Sequence, residues 1–333
     1  MTCSARELLA LLADGELHSG EQLARQVGVT RAAIWKQVGE LRTLGVEIES
    51  LDRRGYRLTR PVELLEAERI CEAARAGGLR IPDDIEVLFE IGSTNDYLYA
   101  EQAQDRSHRR VAFAEIQHAG RGRRGRDWKS PFGSSLTFSL AWRFKEMPPD
   151  LSALGLAMGV GVAQALRQAG ARRVMLKWPN DIVADGRKLG GLLVQLRSEV
   201  SGPAFAVIGL GVNLSLPPGF GASINDPGAL PVTDVASLVG EQGPGRNELA
   251  ARLAAAMLDA VERFEQGGFR RFADAWQRFD SLRGLAVRVT QGDDGFEGVA
   301  SGADSDGALC LEIDGRVRRF FSGDVSVRPA RVP

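Results

Sequence analysis

The run Gly120-Arg121-Gly122-Arg123-Arg124-Gly125-Arg126-Asp127-Trp128 sets four arginines within six positions, with glycines between them. Like charges at this density repel and have little apolar surface to bury, so the segment is excluded from any core and is expected to be mobile without an anion. It lies between two strand-like runs, 111–116 and 135–142. That setting favours a phosphate-handling loop over a solvated or RNA-contacting arginine-glycine tail. Glycine lets the backbone bend around an anion while guanidiniums reach it, and each charge-assisted hydrogen bond contributes roughly 1.5–3 kcal/mol.

Around this loop the chain is ordinary. Of its 333 residues, 44% are apolar and 26% charged, enough to bury cores in two or three domains. Lysine and arginine against aspartate and glutamate give 42 − 43 = −1, so whole-chain charge announces neither a nucleic acid nor a membrane. The stretch 151–166 is 16 residues long and carries Ser152 and Gln164, short of the roughly 20 a bilayer requires. The N-terminal residues lack the basic and apolar segments of a secretory leader. Cys3, Cys71 and Cys310 have neither zinc nor disulfide spacing. A reducing, cytoplasmic, multidomain protein is expected. No H-E-x-x-H or complete Walker A motif occurs, and Gly209-Leu210-Gly211-Val212-Asn213 does not complete a dinucleotide fingerprint.

Residues 1–60 read as helices and a wing. Leu8, Leu9 and Leu12 form one stripe, Leu23 and Val27 another, and Ile34, Val38 and Leu41 a third. Ser19 and Thr30 stand where caps belong, with Gly28 in the turn between two helices, a helix-turn-helix pattern. A hairpin then turns at Asp52-Arg53-Arg54-Gly55. An interaction domain without DNA is the alternative, because these 60 residues hold nine basic against eight acidic side chains. A connector over 61–81 has a helical run at 64–70. The region 82–279 mixes strands and helices without regular alternation, which favours an α+β fold. A helix start is expected at Ser93-Thr94-Asn95, a long helix from Pro148-Pro149-Asp150 to about Ala169, and helices near 246–266 and 269–279. From Gly284, short strands with turns at Asp293-Asp294-Gly295, Asp306-Gly307 and Asp314-Gly315 predict a small barrel over 282–333.

Two further motifs carry candidate chemistry. Lys177-Trp178-Pro179-Asn180-Asp181 offers a cation and a metal-capable carboxylate beside a nucleotide, or merely a packed tryptophan and a turn. Lys188-Leu189-Gly190-Gly191 puts paired glycines inside a strand, where a ligand or backbone comes close, or where the strand bulges.

In order, Ser93–Asn95, the arginine loop, Lys177–Asp181, Lys188–Val194 and Gly209–Asn213 resemble the biotin–protein ligases. With the helix-turn-helix in front, the whole chain resembles the bifunctional ligases that also repress the biotin operon. The resemblance implies a winged helix-turn-helix, a mixed α/β ligase domain and a C-terminal SH3-like barrel. It implies ATP and biotin as substrates with Mg²⁺, biotinyl-5′-adenylate as intermediate and corepressor, and transfer to the biotin carrier domain of acetyl-CoA carboxylase. Operator DNA and a homodimer formed on adenylate binding complete the implied partners.

By matched position, Ser93, Thr94, Asn95 and Gln117 would hold the biotin head. Arg121, Gly122 and Arg123 would enclose ligand and phosphate, Lys188 would face phosphate or carboxylate, and Gly190 and Gly191 would admit the tail. Arg123 and Lys188 are the expected catalytic pair. Trp128, Lys177, Asn180, Asp181 and Asn213 are nucleotide candidates, with Asp181 also a Mg²⁺ candidate. Gly20, Thr30, Arg31, Ala32, Trp35, Lys36, Arg53 and Arg54 would meet DNA. Two positions depart from the family: Gln195, where a carboxylate is frequent, receives no metal role, and Trp35 stands on the recognition helix where a polar residue can occur, which leaves the operator sequence open. The competing functions are a lipoate–protein ligase and a ligand-responsive regulator without ligation.

Overall fold

A computed structural model describes residues 3–52, 54–82, 84–101, 108–198, 203–224, 229–240, 242–321 and 325–329. At the N-terminus, α1 (Cys3–Leu12), α2 (Gly20–Val27) and α3 (Arg31–Thr43) precede the hairpin of β1 (Ile48–Leu51) and β2 (Gly55–Leu58). The expected caps form: Ser19 Oγ accepts from the Gln22 amide at 3.1 Å and Thr30 Oγ1 from the Ala33 amide at 3.2 Å. Gly28 takes the left-handed conformation (φ 73°) that ends α2. The three expected stripes meet, with Leu8, Leu9, Leu12, Leu23, Ile34, Val38 and Leu41 buried around one core.

The connector helix α4 runs Ala67–Ala76, three residues later than the apolar run at 64 suggested. Leu64 and Leu65 instead pack on neighbouring cores, and Asn247 binds the Glu66 amide at 2.9 Å. The central sheet contains β3 (Asp84–Ile91), β4 (Arg110–Gln117), β5 (Ser135–Phe144), β6 (Val174–Lys177), β7 (Asp181–Ala184), β8 (Arg187–Ser198) and β9 (Ala204–Asn213). Their order is β3-β4-β5-β9-β8-β7-β6, and only the β3–β4 pair is parallel. One face is covered by α6 (Leu154–Gln168) and α8 (Arg246–Gly267), the other by α5 (Thr94–Glu101). Alternation along β5 divides the two faces. Leu136, Phe138, Leu140, Trp142 and Phe144 enter the helix-covered core, while Thr137 and Ser139 face the opposite way.

Some boundaries differ from expectation. The segment after Pro148-Pro149 begins with a 3-10 turn, Leu151–Ala153, before α6. The helix expected over 269–279 is a 3-10 turn, Phe269–Arg271, and then α9 (Ala273–Phe279), and a short helix, α7 (Val235–Val239), precedes α8. At the C-terminus lie β10 (Ala286–Gln291), β11 (Asp294–Ala303), β12 (Leu309–Ile313), β13 (Arg316–Phe320) and β14 (Val325–Pro329). Their order is β13-β12-β11-β10-β14, an antiparallel sheet with no closing pair between its outer strands among the described residues. Asp314 (φ 50°) and Gly315 (φ 71°) form the expected tight turn. The first turn sits one residue earlier than read, because Asp294 already pairs with Gln291.

A buried ion pair joins the connector to the central core. Arg246, at the start of α8, reaches Glu115 Oε2 on β4 at 2.9 Å, and Glu115 Oε1 accepts from the Leu65 amide at 2.5 Å. Arg246 also donates to the Glu63 carbonyl at 2.6 Å. Glu115→Ala would strand the Arg246 charge and the Leu65 N–H in a buried place. We expect it to destabilise the protein by about 3–5 kcal/mol, read as a lowered denaturant midpoint; a change below about 1 kcal/mol would show that the pair is not doing this work.

Candidate functional site

Strand register builds the floor of the site. Thr137 on β5 is opposite Gly211 on β9, which is opposite Gly191 on β8. Gly191 is opposite Asp181 on β7, and Asp181 is opposite Lys177 on β6. Directly opposed residues share a face, so this one row runs from a hydroxyl across two bare glycines to a carboxylate and an ammonium. The next row is Ser139, Gly209 and Leu193. Above the floor lies a cavity of about 660 Å³, bounded by the start of α5, the arginine loop and, from the C-terminal sheet, Val327 and Arg328.

At one end, polar side chains fix each other. Ser139 donates to Asn95 Oδ1 at 2.5 Å, so the 2.7 Å contact between Thr94 Oγ1 and Ser139 Oγ takes its proton from Thr94. Gln117 Oε1 accepts from the Thr94 amide at 2.9 Å, which leaves its NH₂ group for the cavity. A Cβ at Gly209 would collide with Asn95 Oδ1, so that glycine makes room for the amide. Ser93, Thr94, Asn95 and Gln117 all line the cavity.

The other end is cationic. The arginine loop folds back through Gly122 N–H to Arg126 C=O at 2.7 Å and Trp128 N–H to Gly120 C=O at 2.8 Å. Arg124 (φ 60°) and Gly125 (φ 70°) make its left-handed corner. Arg121 pairs with Asp96 at 3.1 Å, and Arg123 reaches Asn180 Oδ1 at 3.5 Å. Trp128 lies against β9, where a Cβ on Gly211 would come within 2.5 Å of the indole. Lys188 Nζ stands 5.9 Å from the indole centre and 2.6 Å from Asp181 Oδ1, while Lys177 Nζ is 3.7 Å from Asp181 Oδ2.

Burial alone would raise the Asp181 carboxyl, but Lys188 and Lys177, with Arg123 beyond, hold it below the usual carboxylate range. Burial pulls the Lys177 ammonium below that of an ordinary lysine, and Lys188, Arg126 and Arg328 add to this against the attraction of Asp181. Such an arrangement suits a polyanion that lands beside three or more cations and replaces water around them.

Two sequence-suggested residues have a different setting. Gly190 does not line the cavity: its missing Cβ points to the other face, 2.6 Å from the Gly211 carbonyl, so it permits close strand packing. Asn213 borders the cavity, yet its NH₂ group bonds Thr233 C=O at 3.1 Å and straps the loop beside Lys188. Sequence reasoning missed Thr137, Ser139 and Arg328. The alternation of small hydroxyls with leucine and phenylalanine in β5 was the available signal for the first two.

The second candidate surface lies on α3. Arg31, Ala32, Trp35 and Lys36 are exposed along α3, and Thr30 caps it. Gly20 opens α2, its Cβ position 3.8 Å from Arg31 Nε, and Arg54 is exposed at the hairpin. Arg53 lies outside the described residues.

Family models match three successive parts: an HTH domain over 5–57, the Biotin/lipoate A/B protein ligase family over 89–213 and the Biotin protein ligase C terminal domain over 284–328. The chain is 39% identical over 323 residues to the bifunctional ligase/repressor BirA of Salmonella typhimurium, covering 97% of each chain. It is 38% identical to that of Escherichia coli, again over 97% of each. Among solved structures, biotin protein ligase of Aquifex aeolicus in complex with biotin and ATP aligns with a TM-score of 0.61 at 23% identity, covering 74% of this chain and all of that one, a likeness of fold. The chain belongs to the bifunctional ligase/repressor family.

Proposed function

We propose that this protein activates biotin with ATP, passes it to a lysine of the acetyl-CoA carboxylase biotin carrier domain, and represses biotin-synthesis genes with the adenylate as corepressor. The observation that carries this reading is the single row in which a glycine floor meets Asp181 and Lys177, with Lys188 reaching Asp181 from beside it. A ligand with an uncharged polar head and a phosphate-bearing tail fits its two ends.

In the first half-reaction a biotin carboxylate oxygen attacks the α-phosphorus of ATP, the bond to the β-phosphate bridge breaks, and pyrophosphate leaves. In the second, the carrier amine attacks the mixed-anhydride carbonyl, an amide forms, AMP leaves and the amine gives up its proton. Neither step needs an enzyme nucleophile. Ser93, Thr94, Asn95 and Gln117 would hold the head, Gly191 would admit the linker, and Trp128, seated on Gly211, would border the nucleotide with Asn180. Lys188 would bind negative charge developing at phosphorus, with Arg121, Gly122 and Arg123 enclosing the product; the gain is in position and charge neutralisation.

Mg²⁺ fits better as a partner of the phosphates than as a protein-held ion. No group of three His, Cys, Asp or Glu side chains comes together among the described residues, and both Asp181 oxygens face ammoniums. In this reading the C-terminal sheet is an SH3-like barrel covering the cleft, residues 1–60 and 82–279 are separate functional units, and the protein works in the cytoplasm. The adenylate gathers Arg121 and Arg123, orders the loop and favours a homodimer that sets two winged helices on one operator.

The direct test is full-length protein with ATP, Mg²⁺ and a carrier domain, supplied with biotin or lipoate. Biotin transfer is expected; preferential lipoate transfer would favour the lipoate ligase, and transfer of neither would favour a regulator without ligation. Lys188→Ala should slow adenylate formation by tenfold or more while affecting transfer from supplied biotinyl-adenylate much less, since the charge develops in the first step. Equal losses in both steps would contradict that role. For Arg123→Gly we expect adenylate still to form but to escape, so that a bystander protein becomes biotinylated on its lysines. Mass spectrometry showing adenylate formation with no extra bystander labelling would reject the retaining role of Arg123.

A further inference from the structure

The feature that the ligase chemistry leaves unexplained is Trp35. It is 71% exposed, whereas Trp142, Trp178 and Trp276 are at most 3% exposed. Helix α3 turns Ile34, Val38 and Leu41 into the core, which leaves Arg31, Ala32, Trp35, Lys36 and Gly39 on the outer face. Ala32 and Gly39 stand three residues before and four after Trp35, so two of its helical neighbours on that face are small and the third is Arg31, four residues before it. A Cβ at Gly39 would meet nothing within 4 Å. The indole therefore projects from a low face, with Arg31 and Lys36 beside it to reach phosphates.

We propose that Trp35 determines operator specificity by packing its indole on thymine C5-methyl groups in the major groove. This deepens the DNA-binding reading above and rests on it. A recognition helix usually reads base edges with hydrogen-bonding side chains, but an indole has one N–H and a large apolar surface. The major groove offers one apolar group for such a surface, the thymine methyl. Removing a methyl from a buried apolar contact costs about fourfold in affinity. Because Trp35 carries no charge, its contribution is to sequence and not to the salt-dependent attraction shared by all duplexes. Lys36, which is 3.8 Å from Glu40 on the same helix, belongs to that second class.

The experiment uses full-length protein with biotin, ATP and Mg²⁺, and a duplex enriched by the wild type from a random-sequence pool. Binding is measured by fluorescence anisotropy across a salt series, with each thymine replaced singly by deoxyuridine, which lacks only the methyl. Wild type should lose about fourfold at one or more thymines in each half-site, and Trp35→Ala should be indifferent to the same replacements. Trp35→Phe should retain part of the methyl sensitivity. Trp35→Ala should bind random duplex within about twofold of wild type with the same salt slope, while Lys36→Ala should lower that slope by about 1.8, one phosphate contact from each protomer.

The methyl comparison is made within each protein, so any loss of folded protein cancels between the two duplexes. Wild type insensitive to every thymine replacement, or Trp35→Ala as sensitive as wild type, would overturn the proposal. Association of the chain through Trp35 without DNA, abolished in Trp35→Ala while operator binding persists unchanged, would assign the residue to a protein contact and also overturn it. If no duplex is enriched over random sequence, the DNA-binding reading itself fails and the inference falls with it.

Discussion

A side chain at position 209 or 211 would run into Asn95 or Trp128, and the cleft depends on neither position having one. The two glycines lie two residues apart on β9 and so face the same way, each serving a different end of the cavity. Beside Gly209, the amide of Asn95 comes down onto the sheet and is held by Ser139. Beside Gly211, the Trp128 indole comes down and brings the end of the arginine loop with it. Filling either space would lift one wall of the site off its floor. The same register continues through Gly191 to Asp181 and Lys177, so the cations are positioned by backbone pairing and not by flexible loops alone.

Arg60 ties the N-terminal helices and hairpin to this arrangement. Arg60, just beyond the hairpin, donates to the Ser215 carbonyl at 2.7 Å and to Ser134 Oγ. Ser134 precedes β5 and Ser215 follows β9, the two strands that carry Ser139, Gly209 and Gly211. Val62 packs in the same apolar cluster as Ile116 and Phe132, and the Glu115–Arg246 pair fixes the chain a few residues later. The DNA-facing helices are thus seated on the same elements that end at the ligand cleft, a physical connection between the two surfaces of the protein.

Much of this was legible in the sequence because it is local. The cap residues Ser19 and Thr30, the apolar stripes of α1 to α3 and the Asp314-Gly315 turn each act within a few residues. The arginine loop was legible because no core admits it. What the sequence did not disclose depends on register: Gly190 and Gly191 are adjacent and look alike, yet one faces Val212 and Ile182 and the other faces the cavity. Asn213 gave no sign that its amide would be used to strap Thr233, and Arg328 lies over a hundred residues from the motifs it joins. The open outer strands of the C-terminal sheet likewise follow from pairing across the sheet, which turn residues do not determine.

The claim that one floor serves two ligand ends is tested most directly by titrating Gly209→Ala and Gly211→Ala with biotin alone and with a non-hydrolysable biotinyl-adenylate analogue in a calorimeter. A Cβ at Gly209 displaces Asn95, so this variant should lose affinity for biotin and for the analogue alike. A Cβ at Gly211 displaces Trp128, so that variant should bind biotin about as well as wild type and lose affinity chiefly for the analogue. Equal effects of the two substitutions on biotin, or wild-type affinity of Gly211→Ala for the analogue, would contradict the account.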